Sequence, residues 1–399
     1  MTGSSSPRAF DDRRRLGRPL LAAALTVAVV ATVSRSAQEV EPIESRSSES
    51  PVAASTDADR DGRNGAASAD EKASPDLELG AENRPAADET TPTLLATIDR
   101  GLEHLASLQN ADGSFGRGRY ADNAGVVALC GIALLADGHM PGRGRHGEAV
   151  RRCLDYLLDH VTETGLIAAQ TGHGPMYGHG FATLFLGEVY GMTSEDARVR
   201  DVLERAVELI VNSQNDEGGW RYNPVPYDAD VSVTICQVMA LRSARDAGIK
   251  VPASTIDRAV EYVKRCQNPD GGFKYMIAAG GSGWARSAAG VATLFYAGRY
   301  GDDSIARGLE YLKRQAFPSG RSSLTQAHFF YGHYYAVQAM YLAGGEWWRT
   351  WWPAIRDDLV AQQTPAGGWL DQQQGGAYAT AMALIILQMP KRYLPIFQR

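Results

Sequence analysis

The chain has 399 residues, a formal net charge of −6, 44% hydrophobic residues and 22% charged residues. These values are typical of a mildly acidic globular protein, and they exclude the basic surface that binding to nucleic acid would require. The N-terminal part of the chain differs in composition from the rest.

Residues 1–37 have the pattern of an export segment. Basic residues that include Arg13, Arg14, Arg15 and Arg18 precede the apolar run Leu20–Val33, whose 14 residues are few for a bilayer span and typical of a signal peptide. Small residues follow, but no clean A-x-A cleavage site, so a cleaved signal peptide and an uncleaved N-terminal membrane anchor both remain open. In either case the positive-inside rule predicts an extracytoplasmic domain: periplasmic, in the cell envelope or secreted.

Residues 38–92 are rich in Ser, Ala, Asp, Glu and Pro and nearly free of aromatic residues. Such a segment cannot bury enough apolar surface to offset the entropy of ordering it. We therefore predict a disordered linker here and a single folded domain over residues 93–399.

The folded domain contains an internal repeat in which a glutamine precedes an aromatic residue by six positions. The four copies are Gln109 with Phe115, Gln214 with Trp220, Gln267 with Phe273, and Gln363 with Trp369. Each copy has a glycine in the same slot, where the turn after a helix favours positive φ. Degenerate copies at Glu163–Gly165 and Gln315–Gly320 complete a period of about 50 residues.

Each copy ends an amphipathic helix and precedes a more apolar helix rich in Ala and Gly. We call these the outer and inner helices. Six outer–inner hairpins would bury every inner helix if they closed into a ring. The sequence therefore predicts an all-α fold, an α6/α6 toroid, with an open solenoid of the same hairpins as the alternative.

This glutamine–aromatic repeat (QW motif) resembles that of the terpenoid cyclase and protein prenyltransferase superfamily, and the resemblance covers residues 93–399. It implies that the glutamines and their aromatic partners are structural and tie the outer helices together. It also implies a central cavity that holds an apolar isoprenoid-like ligand.

Alignment of the inner helices places one polar or ionisable residue near the start of each. In a toroid these ends converge on one mouth, so we predict a pocket with convergent polar groups, and helix capping is the alternative. The six residues are Asn123, His179, Asp230, Arg286, His333 and Tyr378.

The stretch "YDADVSVTICQ" (227–237) lies where the resembling cyclases carry an Asp-x-Asp-Asp-Thr motif, whose middle acid protonates an alkene. The resemblance implies that Asp230 is the proton donor and Asp228 its partner, although Val231 and Ser232 replace the third acid and the threonine. Such chemistry needs a carboxylic acid kept neutral by apolar surroundings. The prenyltransferases carry zinc ligands in these slots.

We predict no cofactor, with a divalent metal bound by Asp228, Asp230 and His333 as the alternative. Aromatic residues that include Trp284 and Tyr331 are expected to line the cavity, where each ring can stabilise a carbocation by about 0.5–2 kcal/mol. Four tryptophans in "GGEWWRTWWP" (344–353) share a helix face, which either packs internally or contacts a membrane surface.

The sequence thus predicts two functions on one fold. The first is an enzyme of the cyclase, lyase or transferase kind that acts on an isoprenoid by acid initiation. The second is a non-catalytic lipid-binding or envelope interaction module. The glycan-cleaving α/α barrels share the shape, but they lack the glutamine–aromatic repeat, and the chain offers no convincing carboxylate pair beyond Asp228 and Asp230.

Overall fold

The computed structural model describes residues 89–118, 120–169, 171–172, 174–278, 280–315 and 328–398. The predicted export segment, the linker up to residue 88 and the degenerate repeat after Gln315 lie outside these residues. All described residues belong to one compact unit, Glu71–Arg399. Within the described ranges no helix is long and apolar enough to cross a membrane.

The described residues form twelve α-helices and two short 3-10 helices, Met389–Lys391 and Pro395–Phe397. The predicted alternation of outer (odd-numbered) and inner (even-numbered) helices is confirmed. The α-helices are α1 Pro92–Ser107, α2 Ala124–Leu135, α3 Gly147–Asp159, α4 Met176–Val189, α5 Asp196–Asn212, α6 Val231–Asp246, α7 Ala253–Arg265, α8 Trp284–Tyr296, α9 Asp303–Gln315, α10 Phe329–Ala343, α11 Gly345–Gln362 and α12 Gly376–Gln388.

The inner helices form a closed ring. Helices α2, α4, α6, α8, α10 and α12 each pack against the next, and α12 packs against α2. Every residue of α2 is buried, as its uniformly apolar sequence requires. The α6/α6 toroid is therefore confirmed, and the open solenoid is wrong.

The glutamine of each repeat joins two neighbouring repeats. The Gln214 Nε2 donates to the Gly218 carbonyl at 2.7 Å and to the Thr255 carbonyl in α7 at 2.9 Å. The other three glutamines likewise donate to a carbonyl in the next outer helix, and in the last repeat that helix is α1. These bonds join Gln109 to Ala149, Gln267 to Ser304 and Gln363 to Thr97.

The aromatic residue of each repeat is buried, and in three of the four copies its backbone N–H anchors the turn to the following inner helix. The backbone N–H of Trp220 donates to the Thr234 hydroxyl at 3.2 Å, while its indole N–H donates to the Ile210 carbonyl at 2.7 Å. Equivalent backbone bonds join Phe273 to Ser287 and Trp369 to Thr380. These three turns are thus bonded to both layers of the toroid.

The C-terminal segment covers the C-terminal ends of α4 and α6. Ile396 and Phe397 are buried, and the Ile396 N–H donates to the Glu188 carboxylate at 3.4 Å. The Ser243 hydroxyl donates to the same carboxylate at 2.8 Å, and burial raises the pKa of Glu188 to about 7. The N-terminal ends of the inner helices form the opposite end, which we call the mouth.

The tryptophan face of α11 packs inside the protein. Trp351 and Trp352 are 1% exposed and Trp348 is 7% exposed. The Trp348 indole N–H donates to Glu89 at 2.7 Å. The interpretation of this face as a membrane contact is therefore wrong, because most of its apolar area is already covered by the chain itself.

We expect Gly218→Ala to destabilise the protein far more than Gly248→Ala. Both glycines have positive φ, 98° and 84°, which costs about 1–2 kcal/mol for alanine. A Cβ at Gly218 would lie 2.2 Å from the Arg258 carbonyl oxygen, whereas nothing lies within 4 Å of a Cβ at Gly248. Urea unfolding should show a further loss of ~1–3 kcal/mol for Gly218→Ala. Equal losses would contradict the close contact between repeat turn and outer helix.

Candidate functional site

The scaffold places Asp230 at the start of inner helix α6. Its backbone N–H donates to the Trp220 carbonyl at 3.0 Å, so the repeat turn fixes where the helix begins. Asp230 is the N-cap residue, and its Oδ1 accepts from the Val233 N–H at 2.9 Å. The capping alternative is therefore correct for Oδ1. The second oxygen, Oδ2, takes no part in the cap.

The second carboxylate oxygen of Asp230 meets a tyrosine and an arginine. The Tyr275 hydroxyl donates to Oδ2 at 3.1 Å, and the Arg221 Nε lies 3.8 Å from the same atom. Asp230 is 0% exposed. Burial raises the pKa of Asp230 to about 6, against the opposing effects of the Val233 N–H, the Tyr275 hydroxyl and the Arg221 charge. The carboxyl group can therefore hold a proton close to neutral pH.

Asp228 is joined to Asp230 through Arg221. The Arg221 guanidinium forms an ion pair with Asp228 and lies over the rings of Tyr222 and Tyr275, at 5.2 and 5.6 Å from their centroids. Asp228 and Arg221 are both partly exposed at the mouth. The pair therefore supplies a nearly neutral, polar rim on one side of Asp230.

The Tyr331 side chain reaches the start of α6 from the opposite side of the ring. The Tyr331 hydroxyl donates to the Ser232 carbonyl at 3.1 Å, across the ring from α10 to α6. The Asp230 charge acts on Tyr177 and on Tyr331, and burial raises the pKa of both phenols well above the usual value. Tyr378 lies within electrostatic range of Tyr331. Of the predicted lining residues, Tyr331 thus contacts the first turn of the helix that Asp230 caps.

Aromatic side chains also fill the centre of the ring below the mouth. The rings of Phe181 in α4 and Tyr334 in α10 lie 6.0 Å apart, and the Tyr335 hydroxyl lies 3.1 Å from the Cys236 Sγ in α6. Helix α10 is not adjacent to α4 or α6 in the ring, so both contacts cross the centre. A ligand at Asp230 would therefore meet an aromatic floor.

His179 belongs to the scaffold, so its interpretation as a cavity-lining residue is wrong. Its Nδ1 accepts from the Ile167 N–H at 3.1 Å, and its Nε2 lies 3.3 Å from the Ala206 carbonyl in outer helix α5. The ring thus takes the place that hydroxyl groups occupy in other repeats. Burial lowers the pKa of His179 to about 4, which keeps the ring neutral.

His333 faces outward as well. Its ring packs against Trp284 at 4.6 Å, Phe329 at 4.4 Å and Trp351 of outer helix α11 at 5.8 Å. Burial lowers the pKa of His333 to about 3. Among the described residues no group of three His, Cys, Asp or Glu side chains could hold a metal ion. The alternative metal site of Asp228, Asp230 and His333 is therefore wrong, because the histidine faces α11.

The remaining predicted residues have local roles. Asn123 is the N-cap of α2, and its Oδ1 accepts from the Gly125 N–H at 2.9 Å. Arg286 donates to the Gly281 carbonyl at 3.2 Å, and its charge acts on Tyr311 of outer helix α9. Trp284 packs on His333, as described above. None of the three has a described contact with Asp230.

The sequence interpretation missed Arg221, Tyr222 and Tyr275. Both tyrosines stand two positions after the aromatic residue of a repeat, in the tripeptides "WRY" (220–222) and "FKY" (273–275). The same aromatic–basic–tyrosine order in adjacent repeats was the available signal. The scaffold role of the repeat explains its glutamine and its aromatic residue, and it gives no reason to expect a site among the polar residues that follow them.

A family model described as the prenyltransferase alpha-alpha toroid domain matches residues 87–172 and 151–321. The chain belongs to this family. The resemblance to the terpenoid cyclase and prenyltransferase superfamily is thereby confirmed at the level of the domain.

Individual relatives are more distant. The drimenyl diphosphate synthase of Streptomyces showdoensis is 26% identical over 174 residues, which are 43% of this chain and 31% of that protein. The chain thus matches about a third of the length of this curated relative. The rest of that protein has no counterpart in the match.

Solved structures share the fold. The type II terpene cyclase MstE of Scytonema superposes with a TM-score of 0.52 at 16% identity, over 76% of this chain and 100% of that chain. An alpha-1,6-mannanase of Salegentibacter superposes with a TM-score of 0.56 at 9% identity, over 75% and 99% of the two chains. At such identities the likeness concerns the fold alone, and enzymes of different chemistry share it.

Replacement of Asp230 by asparagine should change how stability depends on pH. Because the folded pKa of about 6 lies above the reference value of 3.8, the stabilisation of the protonated form is complete below pH 3.8 and is lost as the pH rises through about 6. The free energy of unfolding of the wild type, minus that of Asp230→Asn, should fall by on the order of 2 kcal/mol between acid and neutral pH. Urea unfolding of both proteins measures this difference, and a pH-independent difference would contradict the buried neutral acid.

The two buried histidines should respond differently to leucine, which has nearly the same volume. His179→Leu leaves the buried Ile167 N–H unpaired, which should cost about 1–3 kcal/mol, whereas the Ala206 carbonyl lies inside α5 and keeps its helix hydrogen bond. His333→Leu removes ring nitrogens that have no hydrogen-bond partner among the described residues, so it should be nearly neutral. Thermal unfolding of the two variants tests this order, and a greater loss for His333→Leu would reverse the assignment.

Proposed function

We propose that the mouth of the toroid binds a linear isoprenoid and that Asp230 protonates one of its alkenes to start cyclisation. The observation that carries this proposal is a fully buried carboxyl group with a pKa of about 6 that accepts a hydrogen bond from a tyrosine hydroxyl. An acid of this kind stays protonated where an apolar ligand would lie.

The chemistry follows from the arrangement of the site. The Oδ2–H bond of protonated Asp230 breaks, the proton forms a C–H bond at the alkene, and the more substituted carbon becomes cationic. A second alkene of the same ligand attacks this carbon and forms the ring bond. The faces of Tyr177, Tyr331 and Tyr378 would stabilise the cation by about 0.5–2 kcal/mol each. The final cation loses a proton to water, which completes the reaction without redox change and balances the proton that Asp230 donated.

The names of the relatives support this choice of ligand. One is a drimenyl diphosphate synthase, and the terpene cyclase MstE has been solved with geranylgeranyl dihydroxybenzoate, described there as its substrate. The present chain lacks a third acid after Asp230, since Val231 follows. In our proposal Tyr275 and Arg221 supply the polarisation that an acidic neighbour would otherwise provide.

A lipid-binding module is the second candidate, and one observation favours it. The contacts of Phe181 with Tyr334 and of Cys236 with Tyr335 cross the centre of the ring, so an aromatic floor limits the depth available to a long ligand. A shallow apolar mouth would suit reversible binding of a chain end. Conversion of a ligand, rather than its binding, separates the two candidates.

We also propose that the domain acts outside the cytoplasm, at a membrane surface. The N-terminal arginines and apolar run support the location. Exposed apolar side chains on two loops that lead into inner helices support the contact: Val225 is 53%, Tyr227 86% and Leu370 63% exposed. Such side chains at the mouth would let an isoprenoid pass from lipid into the site.

Incubation of the purified protein with farnesol, geranylgeraniol, squalene and geranylgeranyl dihydroxybenzoate tests the cyclase. We expect a cyclic product from at least one of them, and Asp230→Asn should lower its rate by at least about 100-fold, because it removes the donated proton. Asp216→Asn, in an exposed turn of the same repeat, is the matched control and should keep full turnover. Tight binding without any product would favour the lipid-binding module, and full turnover by Asp230→Asn would refute the role of this acid.

A further inference from the structure

Protonation of a ligand leaves Asp230 deprotonated, and Asp230 is 0% exposed. Water therefore has no direct access to the carboxylate, and a ligand in the mouth would cover it further. One oxygen is already occupied, since Oδ1 accepts from the Val233 N–H. The described hydroxyl group that can deliver a proton to the acid lies at Oδ2.

The group in contact with Oδ2 is the hydroxyl of Tyr275, which donates at 3.1 Å. The same hydroxyl shares a hydrogen bond with the hydroxyl of Tyr222. Both tyrosines are only partly buried, so the two hydroxyl groups form a continuous series from the partly exposed rim to the buried carboxylate. We propose that Tyr222 and Tyr275 form a proton relay that reprotonates Asp230 after each turnover.

This inference rests on the proposed function, and it assigns to both tyrosines a role that acts through Asp230 rather than on the ligand. In one relay step the Tyr275 O–H bond breaks and its proton passes to Oδ2. The Tyr222 proton passes to the Tyr275 oxygen, and Tyr222 takes a proton from water. Burial raises the pKa of Tyr275, which makes a free tyrosinate at this position unfavourable. The Tyr275 hydroxyl therefore receives the Tyr222 proton as it gives up its own.

Backbone and charge contacts hold the relay in line. The carbonyl of Tyr275 accepts from the Val231 N–H at 3.1 Å, and the carbonyl of Tyr222 accepts from the Met176 N–H at 3.1 Å. Each tyrosine is thus fixed to the first residue of an inner helix. The Arg221 guanidinium lies over both rings, and Asp228 balances its charge.

The other titratable groups around the relay do not provide a parallel series to Oδ2. Tyr177 and Tyr331 feel the Asp230 charge, but no hydrogen bond to its carboxylate is described for either. The Tyr331 hydroxyl donates to the Ser232 carbonyl instead. Removal of one relay hydroxyl should therefore interrupt the described path.

Infrared spectroscopy tests the relay without any ligand. The C=O stretch of protonated Asp230, identified by its loss in Asp230→Asn, is followed after transfer to D2O at about one pH unit below the pKa of about 6. We expect deuterium to enter this group at least about 10-fold more slowly in Tyr222→Phe and in Tyr275→Phe than in the wild type. Tyr227→Phe, 86% exposed on the same loop, is the control and should exchange at the wild-type rate.

The double variant separates a relay from a loss of local structure. Two hydroxyl groups in series give non-additive effects, so Tyr222→Phe combined with Tyr275→Phe should exchange no more slowly than the slower single variant. Urea unfolding checks that each variant is folded. The relay is wrong if the double variant slows exchange by the product of the two single effects. It is also wrong if both single variants exchange at the wild-type rate.

Turnover of whichever isoprenoid the wild type converts gives a second readout. In Tyr222→Phe the first turnover, which uses the proton already on Asp230, should keep its rate, while steady-state turnover should fall at least about 10-fold. If Asp230→Asn is inactive and Tyr222→Phe is fully active in the steady state, the relay is wrong and the proposed function stands. If Asp230→Asn is fully active, the proposed function is wrong, whatever the exchange rates show.

Discussion

The hydrogen bonds of the repeat glutamines determine the geometry on which the rest of the toroid depends. Each amide group bonds to a carbonyl of its own turn and to a carbonyl inside the next outer helix, as Gln214 does with Gly218 and Thr255. One such bond contributes only about 1 kcal/mol to stability. Its larger effect is to set the distance and angle between neighbouring hairpins, and the repetition of one angle lets the ring close.

This scaffold fixes the positions of the residues in the candidate site. The aromatic residue of the repeat accepts the Asp230 N–H through its carbonyl and bonds the following helix through its own N–H. The residues just after the aromatic position, such as Arg221 and Tyr222, are therefore held beside the start of an inner helix. A buried acid needs fixed neighbours, because its pKa depends on a few hydrogen bonds and on the absence of water. The rigid repeat turns hold these hydrogen-bonding neighbours in place.

The sequence predicted the architecture better than the site because the two depend on different kinds of information. The period of the glutamine–aromatic repeat and the contrast between amphipathic and apolar helices were sufficient for the alternating helices and their closure. The same patterns do not determine the directions of side chains, because neighbouring helix residues differ in direction by about 100°. Asn123 and Asp230 precede their helices, whereas His179 and His333 lie inside theirs, so one alignment mixed different faces. The tryptophans of α11 were ambiguous for a similar reason, because composition does not say which neighbour covers a face.

Closure of the ring joins the two ends of the folded domain. Gln363 bonds to Thr97 in α1, and α12 fills the gap between α10 and α2. While the chain is being synthesised, α2 is made well before one of its two neighbours in the ring, because that neighbour, α12, is the last of the six inner helices. Until then the nascent chain exposes a surface that other apolar segments can bind. Molecular chaperones that cover such surfaces during synthesis should therefore matter more for this protein than for one whose helices pack only on their nearest neighbours in sequence.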